Sequence, residues 1–175
     1  MLTFKRSGRY YRLFKPGWAD PLDPSFSKAR GGRWAPPGEF GAVYLSRTLE
    51  VAAANARVQH AKRAIGLFDL RPDRRPRLLD VRVPSAIAVD VVTDAGVAAA
   101  GFPKTYPAGV DRAACWPLAR RAYASRSVAG IACRSNAEST VAHWPGEELA
   151  WFDRSPALAG TRIRTFDAWY PGPHP

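Results

Sequence analysis

The chain has 175 residues, 46% of them hydrophobic, and carries 26 Lys and Arg against 15 Asp and Glu, a formal charge of +11. That length supports one domain whose core stands without disulfide or metal staples, and the composition excludes a disordered chain. No apolar run approaches the roughly 20 residues of a membrane span, Met1–Phe14 lacks the apolar centre of a signal peptide, and the isolated Cys115 and Cys133 suggest neither a disulfide framework nor a metal site but a reducing, cytoplasmic setting. In chain order, the alternating aromatic and basic residues 9–14 predict a strand, and the Pro-, Gly- and aromatic-rich stretch 15–41 a long ordered loop. Residues 42–46 (AVYLS) predict a second strand, after which Thr48 caps a helix reaching about Arg63. Ile65–Leu70, Leu78–Val83 and Ala86–Val92 read as three further strands. Asp94 caps a short helix through Ala100, and Asp111 another over about 112–124. Ala129–Cys133 and Glu148–Asp153 are the last strands, and the segment 161–175, ending in PGPHP, reads as a tail that frays. Strands and helices mix without βαβ alternation, so the expected fold class is α+β with a single domain over 1–160.

The basic surplus points to an anionic partner, whether nucleic acid, a phosphorylated ligand or an acidic protein, or else to a merely solvated surface. Most of it is arginine, whose fork suits phosphate and carboxylate. No Walker loop, dinucleotide-binding glycine motif, zinc-protease motif, nucleophile elbow or paired CxxC occurs. The densest segment is Gly31-Gly32-Arg33-Trp34-Ala35-Pro36-Pro37-Gly38, followed by the strand with Tyr44. Two glycines permit a tight turn and the Pro pair stiffens it. Such a loop presents Arg33 to a pyrophosphate and Trp34 as a stacking wall for a base or nicotinamide, or else it is a turn with an exposed Arg and a core Trp.

The GGRW-x-PPG block followed by AVYLS resembles the signature of the RES domain family, named for Arg, Glu and Ser. Tyr11-Arg12-Leu13 resembles the family's first-strand arginine, Arg33 the Arg of the name and Tyr44 the active-site tyrosine. Gly130–Ser135 resembles the segment delivering the Ser, here Ser135, and Glu148–Asp153 the closing strand. The likeness spans about Arg9 to Asp153. It departs at one place: the helix position where the family carries Glu holds Asn55, and the helix's own acid, Glu50, lies on another face.

The resemblance implies an ADP-ribosyltransferase-like fold, with a split or bent central sheet flanked by short helices. It also implies a bacterial toxin that breaks the nicotinamide–ribose bond of NAD⁺ by hydrolysis, phosphorolysis or ADP-ribosyl transfer, and that an Xre-type antitoxin neutralises. NAD⁺ is then substrate; no prosthetic group and no metal are expected, and nucleic acid enters only through the antitoxin. The implied catalytic set is Arg33, Tyr44, Asn55 and Ser135, with Arg12, Arg33, Trp34, Tyr44 and Ser135 binding the dinucleotide. Asn55 hydrogen-bonds but carries no charge, so Asn55→Glu is expected to raise turnover or leave it unlowered. Glu147 and Glu148 are the acids that can substitute for the missing Glu; His60 and His143 read as structural. A catalytically impaired interaction domain and a basic nucleic-acid-binding module are the competing classes, and a homodimer stays open.

Overall fold

The computed structural model describes residues 1–61, 63–137 and 146–171; His143 lies outside them. Six strands, β1 Thr3–Phe14, β2 Ala42–Ser46, β3 Arg77–Val91, β4 Val128–Arg134, β5 Glu147–Phe152 and β6 Ala159–Arg164, form one sheet. Helices α1 Ser25–Arg30, α2 Leu49–His60, α3 Asp94–Ala99, α4 Trp116–Ala124 and α5 Phe166–Trp169 flank it. The strand order is β1-β2-β5-β4-β3-β6, and β1 also pairs with β3, so five strands close into a ring with β6 outside on β3. All these pairings are antiparallel except β3 with β4.

The long β1–β3 ribbon sets the shape. Arg6 pairs with Ala86 and Gly8 with Val83, leaving Ser7 opposite Pro84 and Ser85, a bulge in which Gly8 takes φ +97°. The extra residue bends the ribbon, and a proline is tolerated there because the ladder is already interrupted. Before the bend, β3 carries β6 on its free edge; beyond it, β4. The two strands expected over 78–83 and 86–92 are therefore one strand with a kink.

Alternation along the strands divides the core. Tyr10, Val43, Leu45, Val81, Val83, Ala132, Leu149 and Trp151, drawn from every strand of the ring, fill its interior. Their neighbours of opposite parity, among them Ala42, Ile131, Ala150 and Phe152, face outward under Trp34, Phe40, Tyr106 and the apolar side of α4. On the third side, α2 lays Ala52, Ala53 and Ala56 against Leu78, Phe166 and Trp169; the methyl-sized side chains let it approach closely. Thr48 is its N-cap, with Oγ1 accepting from the Val51 amide at 3.3 Å.

Two expectations are corrected. Residues 65–70 form no strand: the Gly66 amide donates to the Asp69 carboxylate and the Asp69 amide to the Gly66 carbonyl, and this turn outcompetes the apolar pattern. Residues 161–171 are no loose tail, because β6 ladders onto β3 and α5 buries Phe166 and Trp169, and the rest of the expected tail, 172–175, lies outside the described residues. The predicted loop 15–41 contains the short helix α1, anchored by Ser27, whose hydroxyl meets both the amide and the carbonyl of Ala42.

Candidate active site

The glycine–arginine loop is shaped around Tyr44. Gly32 donates to the Ala35 carbonyl at 2.7 Å, its own carbonyl accepts from Trp116 Nε1 at 3.1 Å, and the Tyr44 hydroxyl accepts from the Trp34 amide at 2.9 Å. The phenol rests directly on Gly32: a Cβ there would lie 2.1 Å from the Tyr44 oxygen. Burial pushes the phenol pKa upward, so Tyr44 stays protonated at neutral pH. Arg33 turns away from this contact, over Tyr106, with Nη1 3.4 Å from the hydroxyl and the guanidinium carbon 5.9 Å from the ring centre.

Trp34 does not present a stacking face. It is fully buried, edge-on to Phe102, and belongs to the wall behind the loop. Of the two readings of Trp34, a stacking wall or a core residue, the second holds, and the bond from its amide to Tyr44 turns the indole inward. The thiols of Cys115 and Cys133 lie beneath the same loop, and burial raises their pKa values to about 11 and about 12, so neither is a nucleophile at neutral pH.

Beside Tyr44 opens a cleft of about 210 Å³, lined by Arg12, Leu13, Tyr44, Ser46, Asn55 and Glu148 among others. Arg12 reaches it from β1. Its Nε donates to the Pro21 carbonyl and its Nη1 to the Tyr44 carbonyl, each at 3.0 Å, and Trp18 backs the guanidinium at 5.5 Å. Among the described residues no carboxylate pairs with Arg12, and burial lowers its pKa to about 10. It is a fixed, charged guanidinium whose partners are neutral, the electrostatic state of a site awaiting an anion.

Across the cleft the sheet register brings Ser46, Glu148 and Cys133 side by side. Glu148 Oε1 accepts from Asn55 Nδ2 at 2.8 Å and from Ser135 Oγ at 2.7 Å. Its neighbour Glu147 projects to the opposite face, where Arg6 at 3.1 Å and the Tyr10 hydroxyl at 2.6 Å hold it. The cleft continues past Leu13 and Gln59 into a cavity of about 370 Å³ with an apolar floor (Ala56, Leu67) and a basic rim (Lys15, Arg63, Arg74). His60, at its edge, contacts the Ile65 carbonyl.

Of the residues singled out from the sequence, Arg12, Tyr44 and Asn55 thus share the cleft and Ser135 joins it through Glu148. Arg33 stands on the far side of Tyr44, and Trp34 is outside the site. The acid that the structure places in the cleft is Glu148, one of the two that can substitute for the family's Glu. Its signal was the acid pair opening the last apolar strand, but only the β2–β5 register and the packing of α2 show which of the two faces Asn55.

The bent sheet, short flanking helices and arginine-lined cleft define an α+β, ADP-ribosyltransferase-like domain. A model of the RES domain matches residues 9–171, and the chain belongs to that family. In structure it is similar to a chain of the Mycobacterium tuberculosis MbcT–MbcA toxin–antitoxin complex, with a TM-score of 0.73 at 20% identity over 93% of this chain and 86% of the other. No curated protein matches the chain. Among the described residues no cluster of three metal-ligating side chains forms, and no helix is long and apolar enough to cross a membrane.

Proposed function

We propose that this chain is the toxin of a cytoplasmic toxin–antitoxin pair, that it cleaves the nicotinamide–ribose bond of NAD⁺, and that an Xre-type antitoxin silences it by filling the cleft. Membership of the RES family and the likeness to a toxin–antitoxin complex support the class. The observation that carries the chemistry is the pairing across one cleft of an anion-seeking Arg12 with a polar cluster built from Asn55, Ser135 and Glu148.

Breaking that bond develops positive charge on the ribose, so catalysis consists of fixing the dinucleotide and stabilising the cation. Arg12 grips the diphosphate, with Arg33 as a second cation on the neighbouring loop. Tyr44 packs on the nicotinamide riboside, and Ser135 and Asn55 organise the ribose end through the Glu148 carboxylate they hold. The larger basic cavity beyond Gln59 accommodates the adenosine half. A nucleic-acid-binding module draws support from the net charge of +11 alone.

The test is incubation of the purified protein with NAD⁺, with and without phosphate, and mass spectrometry of the products. Free nicotinamide accompanied by ADP-ribose, its 1″-phosphate or a modified protein supports the reading and identifies the acceptor. No nicotinamide above the protein-free control removes it. Arg33→Ala and Arg12→Ala are each expected to abolish turnover and toxicity with the fold retained.

A further inference from the structure

Resting on that reading, we infer that Glu148 is the catalytic carboxylate of this site, presented from strand β5 and aimed by Asn55 and Ser135. Among the described residues the cleft has one acid in its lining. Both donors to its Oε1, the Asn55 amide and the Ser135 hydroxyl, are neutral, so they fix the carboxylate without cancelling its charge. Among the described residues no cation pairs with Glu148 and no donor is seen on Oε2, so within them the second oxygen is open to a ligand. Glu147 is the contrasting case, neutralised by Arg6 and facing away.

A half-buried carboxylate facing a guanidinium across one cleft, each without an ion-pair partner among the described residues, matches a substrate with an anionic bridge at one end and a developing cation at the other. In the reaction, the C1′–N1 bond breaks and its electron pair stays on the pyridinium nitrogen, so nicotinamide leaves neutral. The ribosyl cation forms against Glu148. Water then adds to C1′, and its proton passes to Oε2 and on to solvent, regenerating the carboxylate. Asn55 and Ser135 are positioning residues: they hold Oε1 and touch the reaction only through it.

The experiment compares nicotinamide release by wild type and Glu148→Gln, alongside their thermal midpoints and their binding of ADP-ribose. The expected result is a fall in kcat of at least about 100-fold, with KM within about threefold and ADP-ribose binding retained. A folded Glu148→Gln within about threefold of wild-type kcat overturns the inference and leaves the NAD⁺ reading standing; a wild type that releases no nicotinamide removes both. If Glu148→Gln does not fold, Glu148→Asp decides, since it keeps the charge and withdraws it by one methylene. A loss of about tenfold in kcat supports the inference, and an undiminished rate overturns it. Asn55→Ala and Ser135→Ala should each lower kcat about tenfold with KM unchanged, a split that loss of ground-state binding would not produce.

Discussion

At Gly32 the backbone passes so close beneath the Tyr44 hydroxyl that a methyl group has no room. Gly32→Ala is expected to displace the phenol, lower stability by about 1–3 kcal/mol and reduce turnover at least tenfold. Gly32→Ala with Tyr44→Phe should recover part of the stability in urea melts, a coupling that a double-mutant cycle reads directly. Arg12 makes the opposite kind of prediction. Its pKa, lowered to about 10 by burial, lies below that of the unfolded chain, so the unfolded state binds the proton more tightly between pH 10 and its ordinary value near 12.5. Stability contributed by this group therefore rises with pH across that window, and at neutral pH the full desolvation penalty is present. Arg12→Met should accordingly be inactive yet about 1 kcal/mol more stable at pH 7 by denaturant titration. The contact of Asn55 with Glu148 also reverses the expectation for Asn55→Glu. That change sets two carboxylates at hydrogen-bond distance, so it should destabilise the protein above about pH 6 and lower turnover rather than raise it. Arg12, Tyr44 and Ser135 were legible because each sits in a recognisable local string. Glu148 was legible only as one of a pair with Glu147, because the choice between them is made by a meeting of β5 with α2, 93 residues apart in sequence.

Among the elements, β6 and α5 hold the start of β3 in place. Asp80, on β3, takes both nitrogens of the Arg164 fork at 2.7 Å, and that bond holds its carboxyl pKa below the usual range. A depressed carboxyl contributes stability above its unfolded pKa, near 3.9, and loses it as pH falls through the lower folded value. The difference in stability between wild type and Asp80→Asn should thus be constant above about pH 5 and vanish at lower pH. Trp169→Ala, which empties the pocket between α5 and α2, should cost about 3–5 kcal/mol. These elements escaped sequence reading for a physical reason. Nearly every side chain of β6 is exposed, so the strand has backbone ladders but no apolar alternation to announce it. By contrast β2 and β4 were legible as short apolar runs buried on both faces and α2 as an alanine-rich helix, with Thr48 marking where it begins. The single β3 was read as two strands because Pro84 interrupts the pattern at the bulge without ending the strand.

For the whole molecule, the net charge of +11 makes association with an acidic partner a matter of steering as well as fit. Association with the proposed antitoxin should slow on raising salt from about 50 to 200 mM, mainly through the on-rate, with dissociation little affected; stopped-flow mixing reads both. The ring of strands is not equally strong around its circumference. β1 follows β3 along its length and β2 follows β5, but the backbone ladder between β1 and β2 is confined to Tyr11 and Ser46, with Arg12 reaching the Tyr44 carbonyl and Arg47 the carbonyls of Ser7 and Arg9 beside it. Ser46 is also part of the cleft wall. The hoop therefore has its shortest seam at the very doorway of the site, closed by one ladder pair and by the arms of Arg12 and Arg47, where every other seam is a full zip of backbone.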